Sequence, residues 1–268
     1  MTGYHIVVCA GIVPDPLQTL EPLPDPAKPA LKNEAMLPAV LDPWGAHALY
    51  EAAALAREVA GTKVWLASVA PKARLQQVMM SVAQKAPCEL LPIDGPAGGF
   101  TDAFDIAAAL AASIQAVTGL DRSRLLVFGG WESASRCAGT TLQMVGERLS
   151  IVDQFLGVDR LTVIDDGRLE ILERVEGARH QVSICEGPPL VVGWATGSRP
   201  EPPNSPQVGM ANMRQMMPAL QRAAPFPPGG GDLTFSRVAL PGQRRQTVVV
   251  KDVSTDAIAL DIVEWIQG

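Results

Sequence analysis

Residues 127–144 gather the side chains best suited to chemistry: Val127-Phe-Gly-Gly-Trp-Glu-Ser-Ala-Ser-Arg-Cys-Ala-Gly-Thr-Thr-Leu-Gln-Met144. Ser133, Ser135, Thr140 and Thr141 offer hydroxyls, Arg136 offers a cation, and Gly130 and Gly139 stand on either side of the small residues. A helix beginning near Thr140 would present its first N–H groups to the same space, because those groups have no partner within a helix. Hydroxyls beside a helix N-terminus suit a phosphate or another anion. An ordinary strand–helix connection would use the same residue types.

The flanking elements decide which reading is open. Leu125, Leu126, Val127 and Phe128 form a short apolar run, as in a strand covered on both faces. Gly129 and Gly130 then let the backbone turn. Upstream, Tyr4–Ala10 reads as a first strand, followed by a Pro-rich loop to about Asn33. Asp42 is suited to cap a helix with Pro43 at its first position. Leu49, Ala52, Ala53, Ala56 and Val59 keep helical spacing in that helix, and Gly61 ends it. Lys63–Val69 is a strand, and Ala70-Pro71 opens a helix to about Lys85. Cys88–Ile93 is a strand, Asp102 or Asp105 opens an Ala-rich helix to about Val117, and Thr140–Leu149 is a further helix. Alternation of this kind requires a mostly parallel sheet with helices on both faces, an α/β fold. Ligands of such sheets bind at the C-terminal strand ends. Here those ends are Cys9–Gly11, Val69–Pro71 and Gly129–Trp131, to which the Asp42 helix start adds a fourth segment.

The pattern changes after residue 150. Arg160–Ile164 and Arg168–Val175 read as a hairpin around Asp165-Asp166-Gly167, and Gln181–Cys185 and Leu190–Ala195 as two more strands of an antiparallel addition to the sheet. A Pro-rich arm from Thr196 leads to a helix over about Met210–Leu220. Met210, Met213 and Met217 share one face of that helix, for core packing or for an adaptable partner surface. Residues 225–231 read as a linker, Val248–Val250 as a short strand and Thr255–Ile266 as an amphipathic helix. One domain therefore spans residues 1–222, with a linker and arm over 223–268.

Several functions are disfavoured by composition. The 268 residues carry a net charge of -6, with no basic footprint for nucleic acid. No apolar stretch approaches the roughly 20 residues of a membrane span, and the N-terminus does not read as a signal peptide. The four cysteines are scattered without metal-like pairing and suit reduced thiols in a cytoplasm. The three histidines lie far apart. No phosphate-binding loop of the Gly-rich Lys-Ser/Thr type, nucleophile elbow or zinc-protease motif occurs, and Gly229–Gly231 lies among prolines as a linker. The expectation is a binding or carrier protein, not a self-contained enzyme.

The order of these segments resembles the beta subunit of electron transfer flavoproteins, over roughly residues 4–220. Six features carry the resemblance: the first strand and loop Ile6–Asp15; Asp42-Pro43-Trp44 for an Asn-Pro-aromatic helix start; Ala70-Pro71 for a strand ending in Gly-Pro; Gly130–Met144 for the family's nucleotide loop; Glu173-Arg174 in the hairpin with Pro189–Val192 after it; and Glu201-Pro202 leading to Ala211-Asn-Met-Arg-Gln215. The resemblance implies an adenine nucleotide alpha hydrolase-like, Rossmann-like α/β fold. It implies an alpha subunit as partner, FAD held mostly by that subunit, and electrons carried from a flavin-dependent dehydrogenase to a quinone oxidoreductase. AMP, or a second FAD in electron-bifurcating members, would lie against Cys9, Asp42, Pro43, Trp44, Gly45, Val69, Gly130, Ser133, Ser135, Arg136, Gly139, Thr140 and Thr141. A recognition loop over about 196–214 would dock the dehydrogenase through Glu201, Pro202, Asn204, Val208, Met210 and Met213.

The departures fall inside the nucleotide loop. Ser135, Arg136 and Cys137 stand where the family carries acids, and Thr140-Thr141-Leu142 replaces Gln-Thr-Gly. Asp42 replaces the Asn, and Val175 replaces a Glu. Arg136 suits phosphate, whereas Asp42 repels phosphate and suits a ribose or adenine donor. The alternative is a stand-alone adenine-nucleotide-binding regulator of the universal-stress type, for which the post-150 strands and the arm are surplus.

Overall fold

The computed structural model describes residues 3–23, 30–96, 98–135, 137–164, 167–226, 239, 242 and 249–267. In chain order the elements are β1 (His5–Cys9), β2 (Ile12–Pro14), β3 (Pro22–Leu23), β4 (Ala30–Leu31), β5 (Ala39–Leu41), α1 (Pro43–Glu58), β6 (Lys63–Ala70), α2 (Lys72–Val82) and β7 (Glu89–Asp94). There follow α3 (Ala103–Gln115), β8 (Leu125–Gly130), α4 (Thr140–Arg148), β9 (Gln154–Val163), β10 (Leu169–Val175), β11 (Arg179–Cys185) and β12 (Leu190–Trp194). The last are α5 (Pro206–Gln221), β13 (Ala224–Pro225) and α6 (Thr255–Gln267).

Among the described residues one nine-stranded sheet runs β11-β10-β9-β12-β8-β1-β6-β7-β13. From β9 to β13 every neighbouring pair is parallel, while β9–β10 and β10–β11 are antiparallel. The α/β class with an antiparallel addition is therefore the observed fold. Alternate residues of β1 feed two cores. Ile6 and Val8 pack with Leu49 of α1, Leu75 of α2 and Met216 of α5. Val7 and Cys9 pack with Leu110 of α3 and Val145 of α4. Helices thus cover both faces, and all five residues of β1 are buried.

Three details depart from the sequence reading. Leu190–Trp194 is not part of the antiparallel addition: β12 inserts between β8 and β9, parallel to both. Its five residues are all buried, which only an interior strand between two helix layers can provide. The expected linker begins later than residue 225, because Ala224 and Pro225 pair with Ile93 and Asp94 of β7. Val249 and Val250 lie in no strand. Val248, Gly229–Gly231 and the Asp165-Asp166 turn lie outside the described residues.

Met216, not Met210, is the fully buried methionine of α5, with Met213 and Met217 packed partly against the same core and Met210 exposed. The helix also begins earlier than expected, at Pro206 after Ser205, because proline is pre-shaped for a first helical turn. Residues 206–214 of the expected recognition loop are therefore helical.

Phe128 of β8 is fully buried and meets Trp194 of β12 edge-to-face, with ring centroids 5.4 Å apart. Phe128→Ala should lower stability by about 3–5 kcal/mol in urea unfolding. Val152→Ala, at a fully solvated position, should change it by no more than about 0.5 kcal/mol.

Candidate functional site

The sheet order reverses at β1. The chain moves from β1 out to β6 and β7, then returns to β8 on the other side. A crevice opens beyond the C-terminal ends of strands that diverge in this way. A cavity of about 130 Å³ lies there, lined by Cys9, Asp42, Gly45, Val69, Gly130, Ser133, Ser135, Gly139, Thr140 and Thr141 among others. All ten stood among the thirteen candidate cofactor contacts read from the sequence. Pro43 and Trp44 stand behind the wall: Trp44 backs Gly130, where any larger residue would meet its Cβ. Arg136 lies outside the described residues.

Sequence reasoning missed the wall built by Gly98 and by Ile106 and Leu110 of α3. The i, i+4 spacing of Ile106 and Leu110 marks one helical face, but its destination depends on the strand order. Glu132, Ala138 and Leu142 of the nucleotide-type loop also line the cavity.

Asp42 organises the mouth of the site. Its Oδ1 accepts from Trp44 N at 3.1 Å and caps α1. Its Oδ2 accepts from Ala134 N at 2.8 Å and ties the 131–139 loop to that helix. Both oxygens therefore hold the protein's own backbone, and Asp42 still lines the cavity. Burial raises its pKa, against the pull of the N–H groups of Ala134, Trp44 and Gly45. At the other end of the loop Gly139 adopts φ 59°, and a side chain there would collide with the Trp131 carbonyl. Among the described residues no side chain caps α4, whose first residues Thr140 and Thr141 line the cavity.

The donors at that end, the first N–H groups of α4 and two threonine hydroxyls, are of the kind that suits an anion. The described lining holds no Lys or Arg, while Asp42 and Glu132 place carboxylates in it. The cavity volume lies below the roughly 300–1,000 Å³ of pockets that enclose drug-sized ligands. The floor is chemically quiet. Burial pushes the Cys9 thiol up to about 12, so it stays protonated and non-nucleophilic near neutrality. Among the described residues no group of His, Cys, Asp and Glu could hold a metal ion. His5 is structural: its Nδ1 accepts from Asp121 N at 2.8 Å, and burial, then Arg124 and Lys63, lower its pKa.

The arm after β12 is anchored at both ends. Thr196 donates to Asp159, which also binds Arg174 at 2.7 Å and His180 at 2.9 Å. The buried Glu51 carboxylate of α1 accepts from the N–H groups of Ser198 and Arg199. Further on, Glu201 pairs with Lys85, Ser205 N donates to Gln84 O at 3.1 Å, and Asn212 donates to Ala83 O at 2.7 Å. Of the six expected docking residues, Glu201, Asn204, Val208 and Met210 are exposed. Pro202 and Met213 are half-buried, and Met213 belongs to the core margin. Glu173 spans the ribbon, accepting from Leu156 N and from Ser183 Oγ.

The fold is α/β, with a crevice at its topological switch point. No protein-family model matches the chain, and no curated protein matches it. No helix among the described residues is long and apolar enough to cross a membrane.

Asp42→Ala should cost about 1–3 kcal/mol, because it removes a cap and the tie to Ala134. The pH dependence has a definite sign. A carboxyl raised by folding above its ordinary 3.8 favours the protonated state in the native protein. The advantage of wild type over Asp42→Asn should therefore shrink as pH rises through the raised value. Chemical denaturation of both proteins across pH 3–7, roughly the range in which a buried carboxyl titrates, measures that slope.

Proposed function

We propose that the chain is the beta subunit of a heterodimeric electron transfer flavoprotein, a non-catalytic carrier that passes electrons from a flavin-dependent dehydrogenase towards a quinone oxidoreductase in the cytoplasm. The observation that carries the proposal is the convergence of the Asp42 helix start, the first strand end and the Gly130–Thr141 loop on one crevice. Those three segments carry the family resemblance at the site. The crevice suits the phosphate of a mononucleotide such as AMP, held by the α4 N–H groups, Thr140 and Thr141. FAD supplies the redox chemistry when bound, and the size of the crevice leaves its flavin to the alpha subunit. This chain's contribution is to fix the loop through Asp42 and to present the arm.

The C-terminal helix supports a partner subunit over the stand-alone regulator. Ile258, Ile262, Trp265 and Ile266 recur at i, i+4, i+7 and i+8 on α6, and all are exposed. No residue of α6 is buried within the chain. Such a stripe gains stability only against another apolar surface. Residues 223–268 then act as the arm that holds the alpha subunit.

Purification with the partner should give a yellow heterodimer, and acid denaturation should release one FAD and one AMP. One FAD without AMP would remove the nucleotide assignment, and two FADs would indicate a bifurcating carrier. A colourless protein that binds ATP would favour the regulator. Replacing residues 201–204 by Gly and Ser should abolish reduction by the dehydrogenase while FAD content stays unchanged. Unaltered reduction kinetics would count against docking at the arm.

A further inference from the structure

The arm leaves the sheet through a turn in which Gly197, Ser198 and Arg199 close on one buried carboxylate. Glu51 lies midway along α1 and is 7% exposed. Its Oε1 accepts from the main-chain N–H of Ser198, from the Ser198 hydroxyl at 3.1 Å and from the main-chain N–H of Arg199 at 2.8 Å. Gly197 has φ 68°, and a Cβ there would lie 2.7 Å from the same oxygen. Successive N–H groups at such a turn form a concave anion receptor. Here the chain fills the receptor with its own side chain.

A carboxylate buried to this degree is costly in solvation unless donors compensate it. Hydrogen bonds to an anionic acceptor are roughly twice as strong as those between neutral groups, so the three donors hold the turn firmly against α1. The neighbouring anchors are weaker or lie farther along. Thr196 reaches Asp159 through an exposed hydroxyl at 3.2 Å. The pair between Arg199 and Glu58 lies on the surface, where ion pairs contribute little. The next ties are Glu201 to Lys85 and Ser205 to Gln84. Pro200, Pro202 and Pro203 stiffen the stretch between. Residues 200–204 thus form a short bridge whose direction is set at its root.

We propose that Glu51 is a positioning residue for partner docking: its carboxylate fixes the direction in which residues 200–204 leave the body of the protein, so that the arm meets the dehydrogenase already shaped. The proposal rests on the electron-carrier reading of the chain. Glu51 lies beneath the arm and acts through it, without touching the partner. A segment ordered before the encounter loses less conformational entropy on binding. Loosening the root therefore weakens association and leaves electron transfer within the docked complex unchanged.

The test compares the wild-type heterodimer with those of Glu51→Gln and Gly197→Ala. Glu51→Gln keeps the size and shape of the side chain and removes its charge. Gly197→Ala keeps the carboxylate and pushes the backbone off it. In hydrogen–deuterium exchange the amides of Ser198 and Arg199 should exchange about tenfold faster in both variants. FAD content and circular dichroism should stay those of the wild type. The docking probe is the flavin-dependent dehydrogenase that reduces the wild type. The concentration of heterodimer giving half-maximal reduction should rise about tenfold in both variants, with the maximal rate within about twofold of wild type. Glu58→Gln removes a charge from the same helix and breaks the exposed pair to Arg199, and should leave both readouts at wild-type values. Faster exchange with an unchanged half-maximal concentration would overturn the positioning role. So would unchanged exchange in Glu51→Gln, or an equal effect from Glu58→Gln. A wild type that no flavin-dependent dehydrogenase reduces would remove the electron-carrier reading and the docking role with it, an outcome read from the wild type alone and so distinct from a failure of Glu51.

Discussion

Everything in the molecule hangs on the placement of β1. Its five residues are buried on both faces and paired on both edges, with His5 opposite Lys63 on one side and Leu125 on the other. A strand so enclosed leaves its backbone no partner but its neighbours, so its register fixes theirs. The helices then sort by the alternation of its side chains, α1, α2 and α5 on one face and α3 and α4 on the other. The crevice is a by-product of this arrangement, because connections leave β1 and β8 in opposite directions.

The carboxylate of Asp42 completes the crevice at a price in solvation. An ionised group at 4% exposure is costly unless hydrogen bonds compensate it. Two N–H groups from separate segments supply them. The result is a loop held by hydrogen bonds to a carboxylate and not by packing against bulky side chains, leaving small residues to line the cavity. The quiet floor of Cys9 and Val69 and the hydroxyl-bearing rim then differ in character within one small volume.

Local signals were legible and non-local ones were not. Asp42-Pro43 announces a helix start because cap and first-turn preferences act within a few residues, and Leu125–Phe128 announces a strand buried on both faces. The convergence of Cys9, Asp42, Val69 and Gly130 followed from the general rule for parallel sheets. The interior position of β12 was hidden, since Leu190–Trp194 reads the same whether it extends a ribbon or enters the centre. Ile106 and Leu110 were hidden as cavity walls for the same reason. Which side of α5 turns inward depends on what it packs against, which the spacing of Met210, Met213 and Met217 does not reveal. Gly209 lies against Gln84, Asn212 and Met216 are buried, Met213 and Met217 reach the core margin, and Met210 is left to solvent.

The helix α1 carries acids that face two different tasks. Asp42, at its first cap, holds the crevice loop. Glu51 holds the beginning of the arm, and Glu58 near its end pairs with Arg199. Glu51 lies nine positions after Asp42, a span of about 14 Å at the rise of an α-helix. That span is set by backbone hydrogen bonds and not by the length of any loop. The helix is in effect a built-in ruler: it fixes how far the root of the arm stands from the mouth of the crevice, whatever either of them touches.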